Sequence, residues 1–189
     1  MLSEYQLTLA PKTLDNADPE ARAVLEKAQA QVGFIPNMYA RMVNSPGLLT
    51  AYLDSYALFR QQSGFTPVEQ EVVFLTISRE NGCEYCVGAH SVLADNLSKV
   101  PTAVTDAIRA GALIPDDQLA ALSQFTQVMV AKRGLPSRAE VDDFLSAGYS
   151  ETQILEIVLA IAVKTLSNYA NHLFHTPLDE VFAARAWKD

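Results

Sequence analysis

The sequence predicts an all-α fold in a single domain over residues 1–189, on three observations. Apolar residues recur at three- and four-residue spacing along most of the chain; helix-start residues precede nearly every such run; and no segment alternates apolar and polar residues as a half-buried strand does. Its 189 residues suffice for one compact domain with a substantial core, and 49% hydrophobic against 19% charged residues is the balance of a globular chain.

The first helix is predicted from about Pro19 to Gln31, with Asp18 as N-cap, Pro19 at the first helical position and Gly33 as its stop. Ala21, Val24, Leu25 and Ala28 form its apolar face. Phe34-Ile35-Pro36-Asn37 turns into a short helix near Met38 to Met42, and Asn44-Ser45-Pro46 opens one running to about Gln62. Thr66-Pro67-Val68-Glu69 carries a full capping signal, with Thr66 as N-cap and Glu69 as its reciprocal partner. That helix, apolar over much of its surface through Val72, Val73, Phe74, Leu75 and Ile77, is expected to be central and to end at Asn81-Gly82. A helix from Cys83 to about Leu97 follows, then a short one from Pro101 to Gly111, and one opened by Asp116 and Asp117 through about Lys132. Ser137 caps Arg138 to Ser146, Ser150 caps a long apolar helix from Glu151 to about Leu173, and Thr176-Pro177 starts a final amphipathic helix. A shift of 85 positions lays Glu71 on Glu156, Val73 on Val158, Arg79 on Lys164 and His90 on His175, with the two cysteines on Asn168 and Asn171, which suggests a degenerate duplicated helical hairpin.

A net charge of −8 argues against nucleic acid, whose phosphates need clustered Lys and Arg. The longest apolar stretch, around Ile154 to Val163, is broken by Glu156 and followed by Lys164, so it reads as a buried helix and not a membrane span. Met1 to Ala10 lacks the basic start and apolar run of an export signal, so a cytoplasmic location is expected.

Only two cysteines occur, Cys83 and Cys86, with two residues between them. Two thiols one helical turn apart can form and break a local disulfide. Gly82 should end one helix and put Cys83 at the head of the next, where unpaired N–H groups and the helix dipole favour a thiolate. His90 follows Cys86 by four positions and shares its helix face, so the imidazole can accept the thiol proton. Two thiols and a proton acceptor suffice to reduce a peroxide: one sulfur becomes a sulfenic acid and the other condenses with it. No cofactor is needed, and the chain shows no flavin or nicotinamide fingerprint.

The spacing Cys-x-x-Cys-x-x-x-His, with Glu71 twelve positions before Cys83, resembles the AhpD-like alkylhydroperoxidases of the carboxymuconolactone decarboxylase superfamily. Thr66 to Leu97 carries the resemblance most specifically; Gly33-Phe34-Ile35-Pro36-Asn37 and Ser167-Asn168-Tyr169-Ala170-Asn171-His172 are similar to its peroxidase-related branch. The resemblance implies an AhpD-like helical fold, homo-oligomers (dimer, trimer or hexamer), and reduction of hydrogen peroxide or organic hydroperoxides. It implies Cys86 as the attacking thiol, Cys83 as its resolving partner, and Glu71 with His90 as a proton relay. An external dithiol or reductant protein would regenerate the pair through Cys83. The founding AhpD enzyme has a histidine between its cysteines where this chain has Tyr85, and a phenol is a poor base near neutral pH.

Other readings stand beside this one. The cysteines can be buried and inert, or Cys83, Cys86 and His90 can bind zinc with His172 or His175 as fourth ligand. Taken alone, Glu71 reads as an exposed helix charge, His172 and His175 as core or interface residues, Asn168 and Asn171 as partners of buried backbone or as interface residues, and Tyr85 as a packing residue with one hydrogen bond. At the level of function the rivals are a lactone decarboxylase, which does not need the thiols, and a non-enzymatic redox-sensing or zinc-binding oligomer.

Overall fold

A computed structural model describes residues 4–188, and among these it contains helices and no strand. The order is α1 (Pro19–Val32), α2 (Asn37–Met42), α3 (Pro46–Gln62), α4 (Pro67–Glu80), α5 (Glu84–Leu93), α6 (Thr102–Ala110), α7 (Asp117–Ala131), α8 (Arg138–Ser146) and α9 (Glu151–Phe174). A π-helical turn (Ala94–Ser98) extends α5, and a short 3₁₀-helix (Glu180–Arg185) lies near the C-terminus.

The expected helix starts are realised by side-chain caps. Asp18, Thr66, Asp116, Ser137 and Ser150 each accept a backbone N–H of the first turn, and Thr66, Ser137 and Ser150 form complete capping boxes. α4 is the axis of the fold. Every residue from Gln70 to Ser78 is buried, with α5, α6, α7 and α9 packed around it. Phe74 stacks against Tyr56 at 5.3 Å between ring centroids and lies 4.6 Å from Phe59. Cutting a ring this deeply buried back to Ala costs about 3–5 kcal/mol. α3 lies against α9, α1 against α3, and α8 against α7.

The turn between α4 and α5 positions the cysteines. Gly82 adopts φ +64°, a left-handed conformation that a side chain would strain, and the Cys83 N–H reaches back to the Ser78 carbonyl at 2.9 Å. The chain reverses there, so α5 returns along α4. Cys83 is therefore the N-cap of α5 and not its first helical residue.

Two expectations fail. The segment laid onto the α4–α5 hairpin by the 85-residue shift is one continuous helix, α9, with Ser167 where the first copy has Gly82; nothing stops the helix, so no second hairpin forms. The final amphipathic α-helix is also absent: the chain leaves α9 at His175 (φ 45°) and forms a short 3₁₀-helix whose N-cap, Asp179, makes no capping bond. Its carboxylate accepts instead from the Tyr85 hydroxyl (2.5 Å) and the Asn37 N–H (3.1 Å), which straps residues 176–188 across α5. Phe182 accordingly packs within the chain, against Phe34 and Tyr85. Leu178 fills the space above Gly88, where an added Cβ would lie 3.0 Å from both leucine methyls. Arg109 fastens the strap by donating to the carbonyls of Arg185 (2.9 Å) and Ala186 (3.0 Å), and the Trp187 indole N–H donates to the Arg109 carbonyl.

Candidate functional site

Cys83, Cys86, His90 and Glu71 come together where α4, α5 and α9 meet, and all four are buried. As N-cap, Cys83 accepts the Cys86 N–H on its sulfur at 3.4 Å. Both cysteines are free thiols. His90 lies one turn beyond Cys86 on the same helix. Its Nδ1 is 2.8 Å from Glu71 Oε2, and an ionised carboxylate only accepts, so Nδ1–H is the donor and Nε2 remains for proton exchange.

Glu71 is not the exposed charge that its residue type alone suggests: it is 1% exposed. Arg60 of α3 donates to Glu71 Oε1, to the Tyr56 hydroxyl (2.8 Å) and to Gln70 Oε1 (3.1 Å). Its guanidinium lies 4.9 Å from the centroids of both Tyr56 and Phe74, a cation–π seat on two stacked rings. Burial pushes the Glu71 carboxyl up, but His90 and Arg60 outweigh it and hold the group below its ordinary value. His90 is pushed down by its own burial and by Lys164, against the pull of Glu71, which keeps the ring neutral and able to take a proton. The result is a fixed chain, Arg60–Glu71–His90, leading to the turn of α5 that bears Cys86.

The two sulfurs differ. Cys83 is pushed up by burial and then by Cys86. Burial also works to raise Cys86, but its neighbours Cys83, Lys164, His90 and Asn171 together bring it well below the ordinary thiol value. Position at a helix head points to Cys83 as the thiolate; the groups gathered around Cys86, with the Asn171 amide 3.3 Å from its sulfur, favour that sulfur instead.

Several contributors escape a reading of the sequence. Asn171 Nδ2 lies 3.3 Å from Cys86 Sγ and 3.1 Å from Met38 Sδ, so this side chain serves sulfur and not backbone. Asn168 accepts from Asn81 at 2.8 Å and ties α9 to the α4–α5 turn. Lys164 is buried on the same face of α9, its ammonium 5.6 Å from the Phe74 centroid. The signal for Lys164 was present as a charge closing the longest apolar run, and for Asn171 as part of the Ser167–His172 stretch that carries the resemblance; Arg60 had none beyond helical spacing. Tyr85 does pack with a single hydrogen bond, to Asp179. His172 and His175 are both exposed and not core residues, and among the described residues no group of three His, Cys, Asp or Glu side chains is arranged to hold a metal ion. An open groove of about 1080 Å³ reaches the site and is lined in part by Cys83, Tyr85, Asn171, Pro177, Leu178 and Trp187, while Cys86 lies behind its wall. Among the described residues no helix is long and apolar enough to cross a membrane.

Residues 46–127 match the carboxymuconolactone decarboxylase family. A search of curated proteins returns no match. Among solved structures, the chain is similar to a peroxidase-related protein with the AhpD core from Ralstonia eutropha JMP134, with TM-score 0.80 and 22% identity over 95% of this chain and 97% of that one. It is similar to a peroxidase-related protein from Silicibacter sp. TM1040, with TM-score 0.75 and 19% identity over 95% and 97%. It is also similar to the debrominase Bmp8, in a cysteine-to-alanine variant bound to 2,3,4-tribromopyrrole, with TM-score 0.76 and 17% identity over 96% and 97%. At these identities the likeness establishes the fold.

Proposed function

We propose that this chain belongs to the AhpD-like and carboxymuconolactone decarboxylase superfamily and is a thiol-dependent peroxidase that reduces hydrogen peroxide or organic hydroperoxides through Cys86 and Cys83. One observation carries the reading: a half-buried Arg60 paired to the buried Glu71 and His90, in a chain that ends one helical turn from the thiol whose ionisation its surroundings favour.

In this scheme His90 Nε2 takes the Cys86 proton, and Glu71 stabilises the imidazolium that forms. The Cys86 thiolate attacks the terminal peroxide oxygen. The O–O bond breaks, the sulfur becomes a sulfenic acid, and the departing alkoxide takes the proton from His90 and leaves as an alcohol, or as water when the substrate is hydrogen peroxide. The Cys83 thiol then condenses with the sulfenic acid, forming the disulfide and releasing water. An external dithiol returns the pair to its reduced form and is itself oxidised to a disulfide. Cys83 lines the groove and Cys86 does not, which supports entry of that reductant at Cys83. A reducing compartment, the cytoplasm, suits two thiols that start each cycle reduced.

Purified protein should consume cumene hydroperoxide in the presence of dithiothreitol. Cys86→Ser should abolish turnover, and Cys83→Ser should leave a sulfenic acid that dimedone traps on Cys86. No peroxide consumption with any dithiol supplied would sink the proposal. A lactone decarboxylase would keep its activity in the double Cys→Ser variant. The groove favours a second reading, since a space of about 1080 Å³ beside Cys83 admits substrates far larger than hydrogen peroxide. By similarity to the debrominase, such a substrate would be a halogenated arene, losing halide as the dithiol is oxidised. Halide release from a bromopyrrole under the same conditions tests it. Self-association is proposed from the exposed Leu155, Val158, Tyr169 and Leu173 along α9, and light scattering reads it directly.

A further inference from the structure

Beyond the Arg60–Glu71–His90 chain, the site holds one more buried charge. Lys164 sits in the middle of α9, 1% exposed, and among the described residues no carboxylate lies within ion-pair distance of its ammonium. An ammonium removed from water without a counter-charge costs several kcal/mol, so its place needs a reason. Lys164, Asn168 and Asn171 occupy successive turns on the buried face of α9, and Asn171 Nδ2 is 3.3 Å from Cys86 Sγ. Phe74 offers its ring to Lys164 at 5.6 Å and to His90 at 5.2 Å, so the ammonium and the imidazole share one aromatic neighbour. Glu71 balances Arg60. While both thiols are protonated and His90 is neutral, nothing balances Lys164.

We propose that Lys164 is the buried counter-ion of the Cys86 sulfur, so that the reduced thiolate, once its proton has left the site by way of His90, is the charge-balanced state and the disulfide is not. The inference rests on the peroxidase reading only in taking Cys86 as the ionised sulfur. Other groups also bear on Cys86: Cys83 and His90 from α5, Asn171 from α9, Tyr52 from α3, and Tyr85 beside it; Glu71 of α4 acts through His90. Lys164 is the one full positive charge among these that has no carboxylate of its own, and it favours ionisation of both cysteines. When a hydroperoxide converts the Cys86 thiolate and Cys83 thiol to a disulfide, two electrons leave with one proton and the ammonium is stranded. The reduced form is therefore favoured, which makes the disulfide a stronger oxidant toward its dithiol donor.

The test needs no peroxidase activity, so its failure and that of the proposed function are separable. Reduced protein is alkylated with iodoacetamide across pH, and Cys86 and Cys83 are followed separately by peptide mass spectrometry. Lys164→Met should lower the Cys86 rate about tenfold at mildly acidic pH, a thiol shift of about one unit, and Lys164→Arg should restore most of it. A merely structural role would leave the pH profile where it was. Equilibration with glutathione should favour the Lys164→Met disulfide about tenfold more than wild type, about 30 mV more reducing. Should the variant fail to fold, wild type supplies a reading of its own: it should melt at a lower temperature oxidised than reduced, although a disulfide ordinarily stabilises. A Lys164→Met profile that overlays wild type, or a wild-type disulfide that raises the melting temperature, overturns the proposal.

Discussion

Replacing Glu71 by Gln changes one atom and removes the charge on which two other groups depend. The side chain is 1% exposed and accepts from Arg60 on one oxygen and from His90 on the other. An amide can satisfy one of these donors and presents its NH₂ to the other. Removing one partner of a buried ion pair costs about 3–5 kcal/mol, because the remaining charge is left uncompensated. Arg60 is 20% exposed and keeps its bonds to Tyr56 and Gln70, so the lower end applies, about 3 kcal/mol. For a chain of this size each kcal/mol moves the melting temperature by about 2–4 °C, so Glu71→Gln should melt about 6–12 °C below wild type at neutral pH.

The same substitution carries a signature in pH. The folded Glu71 pKa lies below its ordinary value of 4.5, so its stabilising contribution is complete above about that pH and is lost as pH falls through the depressed folded value. The gap between wild type and Glu71→Gln should therefore be widest at neutral pH and close on acidification. Thermal melts from pH 7 downward read both effects. A melting temperature within about 2 °C of wild type, or a gap that stays constant with pH, would refute the view that Glu71 is the ionised centre of this network.

Three further outcomes follow from the geometry. His90→Ala should slow alkylation of Cys86 at neutral pH; it should also remove the part of the acid limb that begins near pH 6.5, because the folded ring has a depressed pKa and the unfolded ring takes up a proton first, so stability falls with pH from that point. Tyr85→Phe removes the 2.5 Å bond to Asp179, whose bond to the Asn37 N–H remains; urea unfolding should show a loss of about 1.5 kcal/mol, the lower end for a hydrogen bond to a charged group. Gly88→Val places its Cβ where the Leu178 methyls now stand at 3.0 Å, so the C-terminal strap must shift; the expected cost is about 1–3 kcal/mol, with faster alkylation of Cys83 in the groove that Leu178 helps to line.

The fold was largely legible because helix starts are local chemistry. Thr66-Pro67-Val68-Glu69 and Ser150 announce α4 and α9 through hydrogen bonds closed within four residues, and the structure contains those bonds. The C-terminal strap was not legible: Thr176-Pro177 looks like a helix start, and what redirects it is a contact between Asp179 and Tyr85, 94 positions apart. The site divides the same way. Cys83, Cys86 and His90 announce themselves through spacing on one helix, and Glu71 through a family pattern. Asn171 approaches Cys86 from 85 positions away and Arg60 reaches Glu71 from the preceding helix, through pairings that only tertiary packing creates.

The symmetry of the Cys-x-x-Cys spacing conceals an unequal pair, and the inequality has a single structural origin. An N-cap sulfur at Cys83 sits at the rim of α5, against the groove and the strap, and meets the Cys86 N–H. One turn of helix carries Cys86 inward, to where α9 supplies Asn171 and Lys164 and α4 supplies Glu71 through His90. Cys86 thus gains the groups that stabilise a negative charge, while Cys83, equally buried, is the sulfur that borders the groove. A dithiol that attacks an electrophile at one sulfur and exchanges with a reductant at the other needs this division. Moving the α4–α5 turn by a single residue would rotate α5 by about 100° and cancel it. A one-residue insertion after Gly82 should therefore equalise the alkylation rates of the two cysteines while leaving a helical far-ultraviolet spectrum. Rates that stay as unequal as in wild type would show that the difference resides in the sulfurs' neighbours within α5 and not in its orientation.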